Sequence, residues 1–247
     1  MTELIGRTRA RGIETLSLDA TDTRNALSRA LVAGLTDALK QCGKDPGVRA
    51  IVLTHTGNTF CAGADLRDPP PAKALTGLLE RIVKLRKPVV ARVAGHVRAG
   101  GLGLLGACDI AVASDAATFA FTEVRIGVAP AVISLPLLPR VAPRALARYC
   151  LTGETFGATE AARIGLITQA AGDLDLDEAL APALDGLRRA SPSALARTKE
   201  LLTATVLEAF VEDAGEMNRL SASLFAQPDA REGMTAFLER RDPPWVL

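Results

Sequence analysis

The chain runs to 247 residues, 48% of them hydrophobic, and its acids and bases nearly cancel to a formal net charge of +1. That length and apolar content suffice for one large domain with a substantial core. The lack of a basic stripe, and an aromatic complement of seven Phe, one Tyr and one Trp, argue against nucleic acid as a partner.

In chain order, Thr2, Glu3 and the charged residues through Arg11 contain no apolar signal core, and no later run reaches membrane-spanning length. A cytoplasmic protein without a membrane partner is expected. Ile13 to Leu18 alternates apolar and polar residues, the pattern of a half-buried strand. Asn25-Ala26-Leu27-Ser28 predicts a helix start, with Leu27, Leu31, Leu35 and Leu39 as its buried stripe and Gly43 near its end. Ala50 to Thr54 is a compact apolar strand, and Gly57 to Asp65 is loop-rich. Pro69 to Pro71 make a stiff break, after which Leu75, Leu78, Leu79, Ile82 and Leu85 take helical spacing. Pro88 to Ala94 is the next strand, a glycine cluster opens a helix near Gly100, and Asp109 to Ala113 is a further strand, followed by Thr118 to Phe121.

This alternation to about residue 170 predicts an α/β core. Beyond Asp173 the pattern is almost all helix. Ser191-Pro192 signals a start that continues through Leu195, Lys199, Leu202 and Val206; a second helix runs near Phe210 to Phe225, and a third from around Asp229 to before Pro243. The expected division is a core over residues 1–190 and a helical C-terminal region over 191–247.

Cys42, Cys61, Cys108 and Cys150 are far apart and form no CxxC pair, so reduced, mostly buried thiols are expected rather than zinc or disulfides. His55 and His96, the two histidines, are too few for a histidine-rich metal centre, and no metal is expected. Gly101-Leu-Gly103-Leu-Leu-Gly106 fits GxGxxG, but it sits mid-chain, several residues past the preceding strand and with room for only about two helical turns before the next, which argues against a dinucleotide fold.

Two other segments carry more chemistry. Phe60-Cys61-Ala62-Gly63-Ala64-Asp65-Leu66 and Gly95-His96-Val97-Arg98-Ala99-Gly100-Gly101 each follow a buried strand and read as small-residue turns into a helix. Such turns leave backbone N–H groups unpaired and let a ligand approach the main chain. Two such donors on one oxygen would form an oxyanion hole; the bland alternative is that the glycines serve tight turns and packing.

At these residues the chain resembles the enoyl-CoA hydratase/isomerase (crotonase) superfamily. The resemblance rests on FCAGADL, KPVVARVAGHVRAGGLGLLGACDIAVA and FAFTEVRIGVAPA, and continues in Arg24-Asn25-Ala26-Leu27, in Tyr149 to Gly153 with Ala161 to Leu166, and in Glu232 to Arg241. It implies an α/β fold, a spiral of ββα units with a helical C-terminal trimerisation region, and a homotrimer or a hexamer made of two trimers. It implies an acyl-CoA substrate, with coenzyme A as part of that substrate and no separate cofactor. By motif position the oxyanion donors would be the Ala64 and Gly100 N–H groups. Arg24, Ala62, Gly63, Asp65, Leu66 and Gly101 would line the coenzyme A path, and Phe237 would touch the coenzyme from a neighbouring chain or serve packing.

Hydratases of this family commonly use two glutamates. Glu123 stands at one of those positions; the other, three residues after Gly100, is Gly103. One carboxylate can serve hydration if other groups orient the water, and it also suits double-bond migration. His96 and Asp65 occupy neither position, Asp109 reads as a pairing residue of the core, and pairing of Glu123 with Arg125 is the bland alternative. Gly103, with Val128-Ala-Pro130 in place of a glycine-rich turn, is similar to the methylglutaconyl-CoA-hydratase-like branch. The expected activity is enoyl-CoA hydration, with isomerisation or acyl-CoA binding without catalysis as the alternatives.

Overall fold

The computed structural model describes residues 4–172 and 175–247. Two sheets organise the first two thirds of the chain. The larger has strand order β1-β2-β3-β5-β7-β10, formed by β1 (Ile5–Ala10), β2 (Ile13–Leu18), β3 (Ala50–His55), β5 (Val89–Val93), β7 (Ile110–Ser114) and β10 (Gln169–Ala171). The smaller has order β4-β6-β8-β9, formed by β4 (Thr59–Cys61), β6 (His96–Arg98), β8 (Thr118–Ala120) and β9 (Phe156–Gly157). The chain alternates between them. β3 passes to β4, β5 to β6 and β7 to β8, and helices α2 (Ala72–Lys84), α3 (Gly100–Ala107) and α4 (Ala131–Leu137) follow these pairs in turn. Each circuit is a ββα unit, and the successive circuits stack into a spiral.

β2, β3, β5 and β7 run parallel, and β3 and β5 are apolar and buried along almost their whole length. A parallel sheet covered on both faces requires such runs. One face packs on α1 (Arg29–Lys44) through α4; the other carries a second apolar cluster with Leu176 and Leu180 of α7 (Leu176–Arg189). After α5 (Pro143–Thr152) and α6 (Ala158–Arg163), the C-terminal part continues as α7, α8 (Pro192–Leu202), α9 (Ala204–Phe225) and α10 (Pro228–Glu239). Lys199 of α8 reaches into the core, where its ammonium lies 2.7 Å from Asp109 Oδ2 and donates to the Ile82 carbonyl at 2.8 Å.

One strand is added to the expected elements and two local expectations are corrected. β1 forms from the charged N-terminal stretch: it is an edge strand whose last four residues are exposed, so charge there is no obstacle. The first helix begins at Arg29, not at Asn25; Ser28 is its cap and accepts from the Leu31 N–H at 3.1 Å. Arg24 and Asn25 instead have positive φ (54° and 55°), and the buried Asn25 amide donates to the Thr56 and Thr59 carbonyls at 3.0 and 2.7 Å. β6 also intervenes between the Pro88 strand and the Gly100 helix, which a direct turn does not foresee.

Candidate active site

The two small-residue segments meet. Leu27 and Ala64 form an isolated parallel bridge in which the Leu27 N–H donates to Gly63 O at 2.7 Å and the Asp65 N–H to Leu27 O at 3.0 Å. These bonds straddle Ala64, so its own N–H points away from Leu27. The Ala62 N–H donates to Arg24 O at 3.1 Å, which ties the loop to the Arg24–Asn25 turn. Gly63 has φ +97°, and a Cβ there would come 3.0 Å from the Ala99 methyl. A Cβ on Gly100 would lie 3.9 Å from the Ala64 nitrogen and 2.9 Å from Leu27 Cδ1. Ala64 and Gly100 are therefore neighbours.

Gly100 is the first residue of α3, so its N–H belongs to the initial turn that has no intrahelical acceptor. Among the described residues, neither the Ala64 nor the Gly100 N–H donates to a carbonyl outside the regular helices and strands. Ala99, just before Gly100, holds φ 44° and ψ −118°. A non-glycine residue in that region costs on the order of 1–3 kcal/mol and persists where the surroundings impose it. Here the bare Gly63 leaves just enough room for the Ala99 methyl, and the Ala99 N–H is bonded to Ala120 O at 3.1 Å.

The third group, Glu123, follows from the register of the small sheet. Val97 and Arg98 pair with Phe119 and Ala120, so the chain leaving β8 passes the same end of the sheet as Gly100 and turns into a single 3-10 turn, Glu123–Ile126. Glu123 is 8% exposed, and its Oε2 is buried without a hydrogen-bond partner among the described residues. Burial pushes its carboxyl up to about 7, opposed only by a bond to its own backbone. No ion pair with Arg125 offsets this: Arg125 is exposed, and its side chain lies over Gly153. A buried carboxyl that titrates near neutrality suits both giving and taking a proton.

The remaining residues singled out from sequence fall as follows. Ala62, Asp65 and Leu66 are half-buried beside Ala64, and Asp65 Oδ1 accepts from the Arg67 N–H at 3.0 Å. Gly101 is buried, with Cys61 Cβ 2.8 Å from where its own Cβ would be. Arg24 is exposed at the edge of the loop. Phe237 lies on the outer face of α10 and is 57% exposed. His96 is engaged by Thr118, Nδ1 to Oγ1 at 2.9 Å, and Thr118 also accepts from Arg98. Asp109 accepts from the Val89 N–H at 2.7 Å as well as pairing with Lys199. The GxGxxG glycines lie inside α3 and pack against Cys61, Ile133 and Leu137, so they make helix contacts and no phosphate loop.

Sequence reasoning missed the wall beyond Gly100. Gly103 is one turn along α3, on the same side, and a Cβ there would meet Ile133 Cγ2 at 2.7 Å and Leu79 Cδ1 at 3.2 Å. It also missed the anchoring by Asn25, although an Asn within a loop is a known candidate for positive φ. Among the described residues no group of three or more His, Cys, Asp or Glu side chains could hold a metal ion, and no helix is long and apolar enough to cross a membrane.

Comparison with known proteins gives the family and the fold. A crystal structure of an enoyl-CoA hydratase from Mycobacterium avium is 49% identical and superposes with a TM-score of 0.92, all of both chains being covered. A carnitinyl-CoA hydratase from the same organism is 27% identical, with a TM-score of 0.87 over 100% of this chain and 99% of that one. The mevalonyl-coenzyme A hydratase of Aspergillus fumigatus is 33% identical over 93% of this chain and 90% of its own length. Residues 8–246 match the sequence profile described as enoyl-CoA hydratase/isomerase, so this chain is an enzyme of that family, built on the crotonase fold.

Proposed function

We propose that the chain hydrates a 2-enoyl-CoA, with the Ala64 and Gly100 N–H groups on the thioester oxygen and Glu123 as its only carboxyl acid–base group. Two observations support this: the Ala64 and Gly100 nitrogens are neighbours, and the turn that follows the adjoining β8 carries a buried carboxyl with no hydrogen-bond partner on Oε2 among the described residues. Ionised Glu123 takes a proton from water as the water oxygen adds to Cβ. The electron pair of the double bond moves to the thioester oxygen, and the resulting enolate is held by the two amides. The protonated Glu123 then returns its proton to Cα. The sum is addition of one water across the double bond. Donors already aimed at the developing oxyanion need no reorganisation, and each is typically worth roughly 2.7–4 kcal/mol of transition-state stabilisation.

The coenzyme would run along Arg24, Ala62, Gly63, Asp65, Leu66 and Gly101. Its acyl group is not specified by these residues. Exposed Phe237, Leu238 and Trp245 at the C-terminal end favour a homotrimer, or two trimers as a hexamer, with Phe237 meeting coenzyme or neighbour. The cytoplasm suits four free thiols.

A second reading, migration of the double bond between the 3- and 2-positions, is favoured by one observation: Ile133 and Leu79 fill the space at Gly103 that a second acid would need. A single carboxylate can take a proton from Cα to leave a dienolate held by the same two amides, then return that proton to Cγ. The absorbance of the conjugated thioester separates these readings. Loss with a 2-enoyl-CoA is the expected result, and gain with a 3-enoyl-CoA would establish the second. Tight binding with neither change would reduce the protein to an acyl-CoA binder.

A further inference from the structure

The turn that carries Glu123 is held on two sides through glycines. α10 lies on one side. A Cβ on Gly127 would sit 2.6 Å from the carbonyl carbon and oxygen of Asp229, and a Cβ on Gly233 would sit 2.5 Å from the Ile126 carbonyl carbon and 2.7 Å from its oxygen. These are contacts with backbone, which cannot rotate aside. On the other side the Arg125 side chain crosses Gly153, the cap of α5, where a Cβ would meet Arg125 Nε at 2.8 Å. Ala230 and Ala236 share the buried face of α10 with Gly233 and are 0% and 1% exposed. The Glu123 Oε2 has no hydrogen-bond partner, so its position depends on the backbone of this turn rather than on a local anchor.

We propose that Gly233 is a positioning residue for Glu123: its bare backbone seats α10 on Ile126 and keeps the turn pressed inward, so that the carboxyl stays inside the site. The inference rests on the reading of Glu123 as the acid–base group. Seating of a helix from the far end of the chain would then hold the carboxyl through the backbone of the turn. The charged and titratable groups around the turn are few. Arg125, on the turn itself, and Asp229, on α10, are both exposed. The Cys150 thiol on α5 is pushed up to about 12, first by burial and then by the Glu123 charge, so it stays neutral while Glu123 titrates. Loosening α10 would admit water to the carboxyl and bring its ionisation back toward the ordinary carboxylate range.

The test uses the full-length protein and the enoyl-CoA it turns over, with kcat and KM followed through the neutral pH range. Gly233→Ala is expected to lower kcat about tenfold, leave KM within about threefold, and move the midpoint of the kcat profile acid by about one unit. Ala230→Gly removes a methyl without creating a clash. It is expected to do the same in smaller measure, about threefold in kcat, and it carries the test if Gly233→Ala does not accumulate folded. Thr235→Ala, on the exposed face of α10, should match the wild type. Glu123→Gln is run alongside and should be nearly inactive. An inactive Glu123→Gln with unchanged kcat and midpoint in folded Ala230→Gly, or an effect confined to KM, overturns the positioning role alone. An active Glu123→Gln overturns the underlying reading instead.

Discussion

Ile133 Cγ2 stands 2.7 Å from where a Cβ on Gly103 would be, with Leu79 Cδ1 at 3.2 Å, so aliphatic side chains close the turn of α3 beyond Gly100. A second glutamate cannot simply be added there. Gly103→Glu should cost about 3 kcal/mol or more through overpacking and a desolvated carboxyl, and should bring no gain in hydration. Denaturant unfolding measures the first part and the enoyl-CoA assay the second. Adding Ile133→Ala should recover part of the lost stability. A single variant as stable as wild type and faster at hydration would show that Ile133 yields easily.

In its proposed role, Glu123 would link rate to stability. Its carboxyl is raised by burial to about 7, so the proton is held more tightly folded than unfolded. The stabilising increment of the protonated group is complete below the unfolded value near 4.5 and is lost as pH rises toward about 7. Glu123→Gln should therefore be the more stable protein at alkaline pH by about 3 kcal/mol, the difference fading toward the acid end of that window. Wild-type kcat/KM should rise with pH to a plateau above about 7, while the variant should lose about 100- to 10,000-fold with coenzyme A affinity nearly unchanged. Parallel unfolding curves for the two proteins at both ends of the window would contradict the buried charge.

Main-chain donors can be removed only through the main chain. Ala64→Pro deletes an N–H that bonds no carbonyl in the loop, and Gly63 before it has no Cβ to crowd the ring. A loss of about 100- to 1,000-fold in kcat is expected with circular dichroism unchanged. Undiminished turnover in a folded Ala64→Pro protein would take Ala64 out of the mechanism.

Lys199 and Asp109 form a buried pair at 2.7 Å, with side chains 5% and 17% exposed. Lys199→Ala leaves the Asp109 charge and the Ile82 carbonyl without their partner, so unfolding should become easier by about 3–5 kcal/mol. Urea titration would read this directly, and a change well below 1 kcal/mol would mean that water takes the place of the ammonium.

How much of this was legible in the sequence depended on range. The apolar runs of β3 and β5 and the 3.6-residue stripe of α1 are local signals, and they gave the α/β core. The small sheet was not legible, because β4, β6 and β8 are three residues each and are strands only through one another. Glu123, Ala64 and Gly100 stood out through motif position; the approach of Ala64 to Gly100 depends on the Leu27–Ala64 bridge, and the place of the Glu123 turn on the Arg98–Ala120 register, neither of which any window of sequence contains. The Ile133 wall was hidden for the same reason, being thirty residues from Gly103 and apparent only once α4 lies on α3.

All eight residues of α3, Gly100 to Ala107, are buried, so the helix that offers the Gly100 donor has no wet side. Any exchange within it is an exchange in the core, tolerated only at matching volume. A side chain larger than Gly103 would need room from Leu79 of α2 or Ile133 of α4, so a change within this helix is a change in three helices at once.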